Sequence, residues 1–210
     1  MGLEKGWGDS DVEIGTPPQR HDSFGVGAFF TRFNYDTFDN LNFPLRGTKA
    51  LVELKRSTGY LVADDSFNAV KGAAITAQTW NSNTILGGLS TGITFSGAAP
   101  TQSLFTLGGL FNLSGTETDE LSGQDFAIGR LVYYRNIGAR LGSFDVPVYL
   151  GASVEAGNVW QDRSDMTVDD LIFAASMFLG LDTPLGPLYL AYGLAEGGRK
   201  SAYLYLGRTF

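Results

Sequence analysis

The five residues Gly88-Leu-Ser-Thr-Gly92 read G-x-S-x-G, the spacing that in hydrolases lifts a nucleophilic serine out on a strand-to-helix turn. Here the residues around Ser90 alternate as in a strand, and no helical pattern follows. A serine nucleophile also needs a base. The single histidine, His21, lies in a distant polar stretch, and no oxyanion glycine loop accompanies a serine–aspartate alternative. Ser90 therefore reads as a wall-facing serine. Carboxylates crowd into "TETDELSGQD" (116–125) and "QDRSDMTVDD" (161–170), but neither follows the ordered twelve-residue calcium loop. They read as solvated loops. "NLS" at 112–114 has the form of a glycosylation sequon. No catalytic residue, metal ligand or cofactor site is expected.

Bulk chemistry narrows the class. The chain has 210 residues, no cysteine and a formal net charge of −7. Disulfides and cysteine-based metal sites are excluded, and a nucleic-acid partner is disfavoured for want of clustered Lys and Arg. Charged residues are only 18%, below the quarter usual in soluble domains, while glycine numbers 28 and aromatics reach 13%. That mixture suits an all-β protein with tight turns. No stretch is long and apolar enough for a transmembrane helix.

Period-two patterns recur along the whole chain. In 144–158, Phe144, Val146, Val148, Leu150, Ala152, Val154 and Ala156 share one face, and Asp145, Tyr149, Ser153 and Glu155 the other. In 171–181 the odd positions Leu171, Phe173, Met177 and Leu179 form an apolar stripe expected to face lipid. Strands are expected at 9–15, 24–36, 46–57, 67–80, 84–97, 122–136, 144–159, 170–182, 187–196 and 201–210. Several exceed the usual five or six residues and match the length needed to cross a bilayer at a tilt. Lys49, Glu53, Lys55, Arg130, Arg135 and Glu155 fall inside strands, where only a lumen face would solvate them. Arg130 shares its phase with Phe126, Ile128 and Val132, so its face stays open. Phe29, Phe33, Tyr35, Tyr133, Tyr134, Trp160 and Tyr192 lie near strand ends, where barrels carry aromatic girdles.

The connections alternate between compact ones, such as "NSN" and "TPLG", and longer polar ones, such as 98–121 and "QDRSDMTVDD". Outer-membrane barrels show that asymmetry. The fold class read from the chain is an all-β, antiparallel transmembrane β-barrel of about ten strands, one domain spanning 1–210. An even strand number puts both ends on the periplasmic side. Closure is expected by pairing 9–15 with 201–210, with a ring built from two copies as the alternative.

Four stretches resemble the bacterial surface antigen superfamily, which includes the outer-membrane insertases. "FNYDTFDNLNFPLRG" (33–47) resembles its strand–turn–strand signature. "FTLGGLFNLSG" (105–115), with Gly108, Gly109, Ser114 and Gly115, resembles its inward-folding loop. "SVEAGNVW" (153–160), with Glu155 and Gly157, resembles the strand motif facing that loop. "YLGRTF" (205–210), in a strand bearing Tyr203, Tyr205, Gly207 and Phe210, resembles its C-terminal strand signal. The nearest branch looks like the barrels of patatin-like outer-membrane phospholipases. Two departures stand out. The family loop carries an arginine before its glycine, where Ser114 stands here, so Glu155 is expected to lack that partner. Family barrels have sixteen strands, not ten. The resemblance implies residence in the bacterial outer membrane, contact with the lipid bilayer and with the barrel-assembly machinery during insertion, and a role in anchoring or exporting an N-terminal domain absent from this chain. A homodimer is the partner alternative. The alternative functions are an outer-membrane lipid hydrolase acting through Ser90 and a soluble β-sandwich binding module.

Overall fold

The computed structural model describes residues 2–9, 23–58, 66–138 and 146–209, and for 2–9 and 23–27 the backbone alone. Ten long strands form one antiparallel meander: β1 (Gly2–Asp9), β2 (Ser23–Asp36), β3 (Gly47–Ser57), β4 (Asn68–Trp80), β5 (Asn83–Ser96), β8 (Asp125–Asn136), β9 (Val148–Trp160), β10 (Ile172–Thr183), β11 (Gly186–Ala195) and β12 (Arg199–Leu206). Two short strands, β6 (Phe105–Leu107) and β7 (Leu121–Gly123), pair with each other inside the β5–β8 connection. Nine of the ten expected strands appear close to their expected bounds. The expected first strand, 9–15, lies outside the described residues from position 10 on, and the described first strand spans 2–9.

Alternation decides the two faces, because successive side chains on a strand point to opposite sides. On β10, Phe173 (63% exposed) and Met177 (68%) point outward with Leu179, while Ala174, Ser176 and Phe178 are buried. Leu171, just before that strand, is half-buried. On β9, Leu150 and Val154 point outward, and Tyr149, Gly151, Ser153, Glu155 and Gly157 are buried on the concave side. Phe29, Phe33, Tyr35, Tyr133 and Tyr192 are exposed on the outer face. Tyr134 and Trp160 are not girdle residues, for both are buried. β8 settles the face of Arg130: Phe126, Ile128, Val132 and Tyr134 are buried while Leu131 and Tyr133 are exposed, so Arg130 belongs to the concave face.

The concave side is filled from both ends. From one end comes the β2–β3 connection, folded by its own side chains. The Asp39 carboxylate accepts the Leu45 and Arg46 N–H groups, and the Asn40 side-chain oxygen those of Asn42 and Phe43. The turn thus delivers Phe43, fully buried, against Tyr149 (centroids 4.2 Å, stacked), Tyr189 and Tyr134. Asn42 donates to Asp182 and the Tyr134 hydroxyl to Pro44 O, tying the turn to the wall. From the other end comes the β5–β8 connection, whose Phe111 packs edge-on against Phe178 and Tyr189.

Among the described residues the sheet does not close on itself. The described ladder runs from β1 to β12 with no pairing between them, so the expected single-chain closure is not found. β12 also ends at Leu206 rather than running on to 210. Gly207 adopts φ +146, turning the chain out of the ladder, and Thr209 then donates to the Tyr189 hydroxyl. Phe210 lies outside the described residues.

Candidate functional site: a loop tip held by Glu155

The tip of the β5–β8 connection bends sharply. Phe111 (φ 61°) and Leu113 (φ 78°) adopt left-handed backbone that side chains disfavour, so surrounding contacts must hold them there. Both are fully buried, Phe111 among the concave-side aromatics and Leu113 beside Ile128 and Ala174. The bend turns two successive N–H groups one way. Leu113 N and Ser114 N both donate to Glu155 Oε2, at 2.9 and 2.6 Å. Paired amides of this kind make a nest for an anion.

The second carboxylate oxygen is equally engaged. Ser114 Oγ donates to Glu155 Oε1 at 2.8 Å, and Ser153 Oγ donates to the same atom. Ser176 Oγ lies 2.7 Å from Ser153 Oγ and extends the chain of hydroxyls onto β10. Ser114 Oγ in turn accepts the Phe111 N–H at 3.0 Å. A carboxylate 3% exposed is tolerable only when its lone pairs are used, and here four donors use them. The family arginine is absent, yet Glu155 is fully partnered, by backbone amides and hydroxyls in place of a guanidinium.

β11 and β12 hold the other side of the tip. Gly115 adopts φ +104, and a side chain there would run into Ala195 N. A Cβ on Gly193 would sit 2.5 Å from Gly115 N. Bare backbone thus lies on bare backbone. The Tyr203 hydroxyl accepts the Gly115 N–H at 2.8 Å and donates to Thr116 O at 2.6 Å. Gly115→Ala is expected to cost about 1–3 kcal/mol through backbone strain alone, more if the tip must lift from β11. A denaturant midpoint in detergent measures it.

The residues singled out from sequence are therefore distributed as follows. Ser114, Gly115, Glu155 and Tyr203 meet at one point. Gly108 and Gly109 lie at the neck of the loop, where Gly108 N donates to Asn112 O. Gly157 pairs with Ile128 across the β8–β9 ladder, away from the tip. Tyr205 packs on Tyr189, and its hydroxyl donates to Arg208 O. Sequence reasoning places Ser153 on the polar face with Glu155, and misses Ser176 and Gly193 as parts of the contact. Ser90 sits mid-strand on the buried face of β5, accepting a hydrogen bond from Arg130 at 3.3 Å. That is neither an elbow nor a contact with a base. Of the crowded acids, Asp125 pairs with Arg163 and Glu120 with Arg199, and among the described residues no three converge as metal ligands.

A family model described as the Omp85 superfamily domain matches residues 24–210. The chain belongs to the Omp85 superfamily. Among solved structures it is similar to BamA from Haemophilus ducreyi lacking POTRA domains 1–3, with a TM-score of 0.72 at 16% identity. That match covers 91% of this chain and 44% of the BamA chain, so this chain spans less than half the length of that relative. No curated protein matches the sequence. The Omp85 assignment makes this an outer-membrane β-barrel protein of bacteria, with the exposed apolar face of the wall toward lipid and the concave face toward the lumen.

Proposed function

We propose that this Omp85 wall serves a longer assembly: it spans the outer membrane and anchors, or helps export, an N-terminal domain, with the loop tip fixed in the lumen by Glu155. The observation that carries this reading is the four-donor seat of Glu155, which holds the loop tip on the concave face of the wall. A patatin-like domain is the attached domain that the motifs favour. Insertion would pass through the barrel-assembly machinery. Both edges of an open sheet must be paired in a bilayer, since each unpaired backbone group in hydrocarbon costs several kcal/mol. The partners of β1 and β12 in the membrane are then further strands of the same assembly or a second copy of the chain.

A folded reporter joined ahead of Met1 tests the reading in a Gram-negative host. The fusion should fractionate with outer membranes and resist extraction by carbonate. Recovery of folded fusion in the soluble fraction contradicts membrane residence and favours the β-sandwich alternative. Export and anchoring separate by protease: a reporter digested in intact cells was exported, and one digested only after the outer membrane is opened was anchored inside.

The outer face gives a second check. Met177→Arg should lower unfolding free energy in lipid by about 2–4 kcal/mol if the site lies at mid-membrane. Ser176→Ala on the opposite face removes no lipid contact and should leave lipid affinity unchanged. An unaltered unfolding curve for Met177→Arg would remove the lipid assignment of β10.

A further inference from the structure

The β4–β5 ladder slips at the end where both strands meet long connections. Asn68 pairs with Ser96 and Ala69 with Thr94, so Phe95 is one residue too many. A bulge of this kind re-aims a side chain. Ala69 and Thr94 keep to the concave side, Ala69 buried and the Thr94 hydroxyl donating to Gln124 O. Phe95 is left 55% exposed on the outer face.

The neighbouring strands bring their outer faces to the same place. Arg56 of β3 stands opposite Phe29 of β2 on one side and Asn68 of β4 on the other. Leu54, two residues back along β3, shares its face. Phe29, Leu54 and Arg56 are all exposed. Lys55 turns to the other face, its ammonium over the Phe67 ring. These residues surround a hollow of about 220 Å³. Arg56, Asn68 and Thr31 give it polar lining, and Phe29, Leu54 and Phe95 apolar walls.

The height of the hollow on the wall is fixed by the strand ends. Arg56 is the last residue but one of β3, Asn68 the first of β4 and Ser96 the last of β5. In an outer-membrane barrel the long connections lie on the outside. Arg56 therefore sits on the lipid-facing side, near the level where hydrocarbon gives way to headgroups. A cation on that face is costly at mid-membrane and tolerated at the interface, where its charge reaches the polar layer. Below it, Phe33 and Val52 pair across β2 and β3, both exposed, and continue the apolar stripe toward the membrane centre. A guanidinium at the top of such a stripe matches an amphipathic partner: its planar fork fits phosphate oxygens, and the stripe fits a hydrocarbon chain.

We propose that this hollow binds a phosphorylated lipid of the outer leaflet, with a phosphate on Arg56 and an acyl chain along Phe29, Leu54 and Phe95. The proposal rests on the membrane-spanning reading of the wall, which assigns this face to lipid. The Asn68 side chain supplies a neutral donor beside the guanidinium. The bulge serves the site by placing Phe95 against the chain.

The test titrates folded protein in neutral detergent with lipid A, an acylated sugar carrying phosphates, and separately with its dephosphorylated form. Bound lipid is read by native mass spectrometry, and heat-dependent gel mobility confirms folding. Lipid A should bind saturably and the dephosphorylated form at least about tenfold more weakly, the worth of one charge-assisted hydrogen bond. Arg56→Gln should lose a similar factor, and Arg56→Lys, which keeps the charge without the fork, should fall between. Arg135→Gln removes an exposed cation at the opposite end of the outer face and should leave binding unchanged. Equal binding of the two lipids, or equal binding by Arg56→Gln and wild type, overturns the site. Inorganic phosphate binding as tightly as lipid A would remove the acyl chain from the account and overturn it too. If Arg56→Gln does not fold, Arg56→Lys and the comparison of the two lipids still decide. A chain that fractionates with outer membranes but shows no lipid preference sinks this site alone and leaves the membrane-spanning reading standing.

Discussion

Glu155→Ala is expected to free the loop tip and to cost about 2–6 kcal/mol. That range counts two buried backbone donors, Leu113 N and Ser114 N, at about 1–3 kcal/mol each when left unsatisfied. Both residues are fully buried, so water cannot replace the carboxylate without the tip moving. Relief comes only by lifting the tip off β11, which gives up the Gly115–Gly193 contact and the Tyr203 bridge. Glu155→Gln keeps one acceptor oxygen and should cost clearly less. Two measurements check this. The denaturant midpoint in detergent should fall in the order wild type, Gln, Ala. Protease sites in 108–120 should become cleavable in the alanine variant while the wall strands stay protected. An alanine variant with an unshifted midpoint and a protected loop would show that Glu155 does not hold the tip.

Phe43→Ala is expected to cost about 3–5 kcal/mol, the range for emptying a buried aromatic site. Phe43 is fully buried and stacks on Tyr149 with its ring within reach of Tyr134 and Tyr189. It also lies over Gly180, where a Cβ would stand 2.6 Å from the ring. The site is built from backbone and other aromatics and cannot collapse. The loss should appear in stability and not in Glu155 contacts, since Phe43 enters from the opposite end. Double mutation with Glu155→Ala should therefore be close to additive. Coupling well above the experimental error would mean that Phe111, which touches Tyr189 and Phe178, relays one end of the plug to the other.

The wall is legible in the sequence because its signal is local. Phe173, Met177 and Leu179 lie on alternate positions, and that period alone fixes a strand and its faces. The first strand is not legible: "LEKGWGD" mixes glycine and charge without alternation, whereas "DVEIG" further on alternates. The end of β12 is hidden too, because nothing in "LGRTF" distinguishes a glycine inside a strand from one that turns out of it. At the loop tip, the motif resemblance brings Ser114, Gly115 and Glu155 together. The donors that replace the missing arginine are invisible, because two of them are backbone amides, and an amide has no side-chain signature. Phe43 is hidden for a different reason. An apolar residue inside a turn reads like any other until the partners it meets, far along the chain, are in place.

The arrangement of loop and wall has one direct measurement. Ser114 and Ser153 both donate to Glu155 Oε1, one from the loop tip and one from β9, so the two side chains reach the same atom. The chain has no cysteine of its own. A Ser114→Cys, Ser153→Cys double variant, folded in detergent or lipid and oxidised mildly, should form an intramolecular disulfide in most molecules. Mass spectrometry after proteolysis reads the bond, and heat-dependent gel mobility confirms that the protein was folded when it formed. The expected result is a disulfide-linked pair of peptides, one carrying position 114 and the other position 153, that disappears with reductant and with prior unfolding. Folded protein whose two thiols stay free under oxidant would mean that the loop tip does not rest on β9.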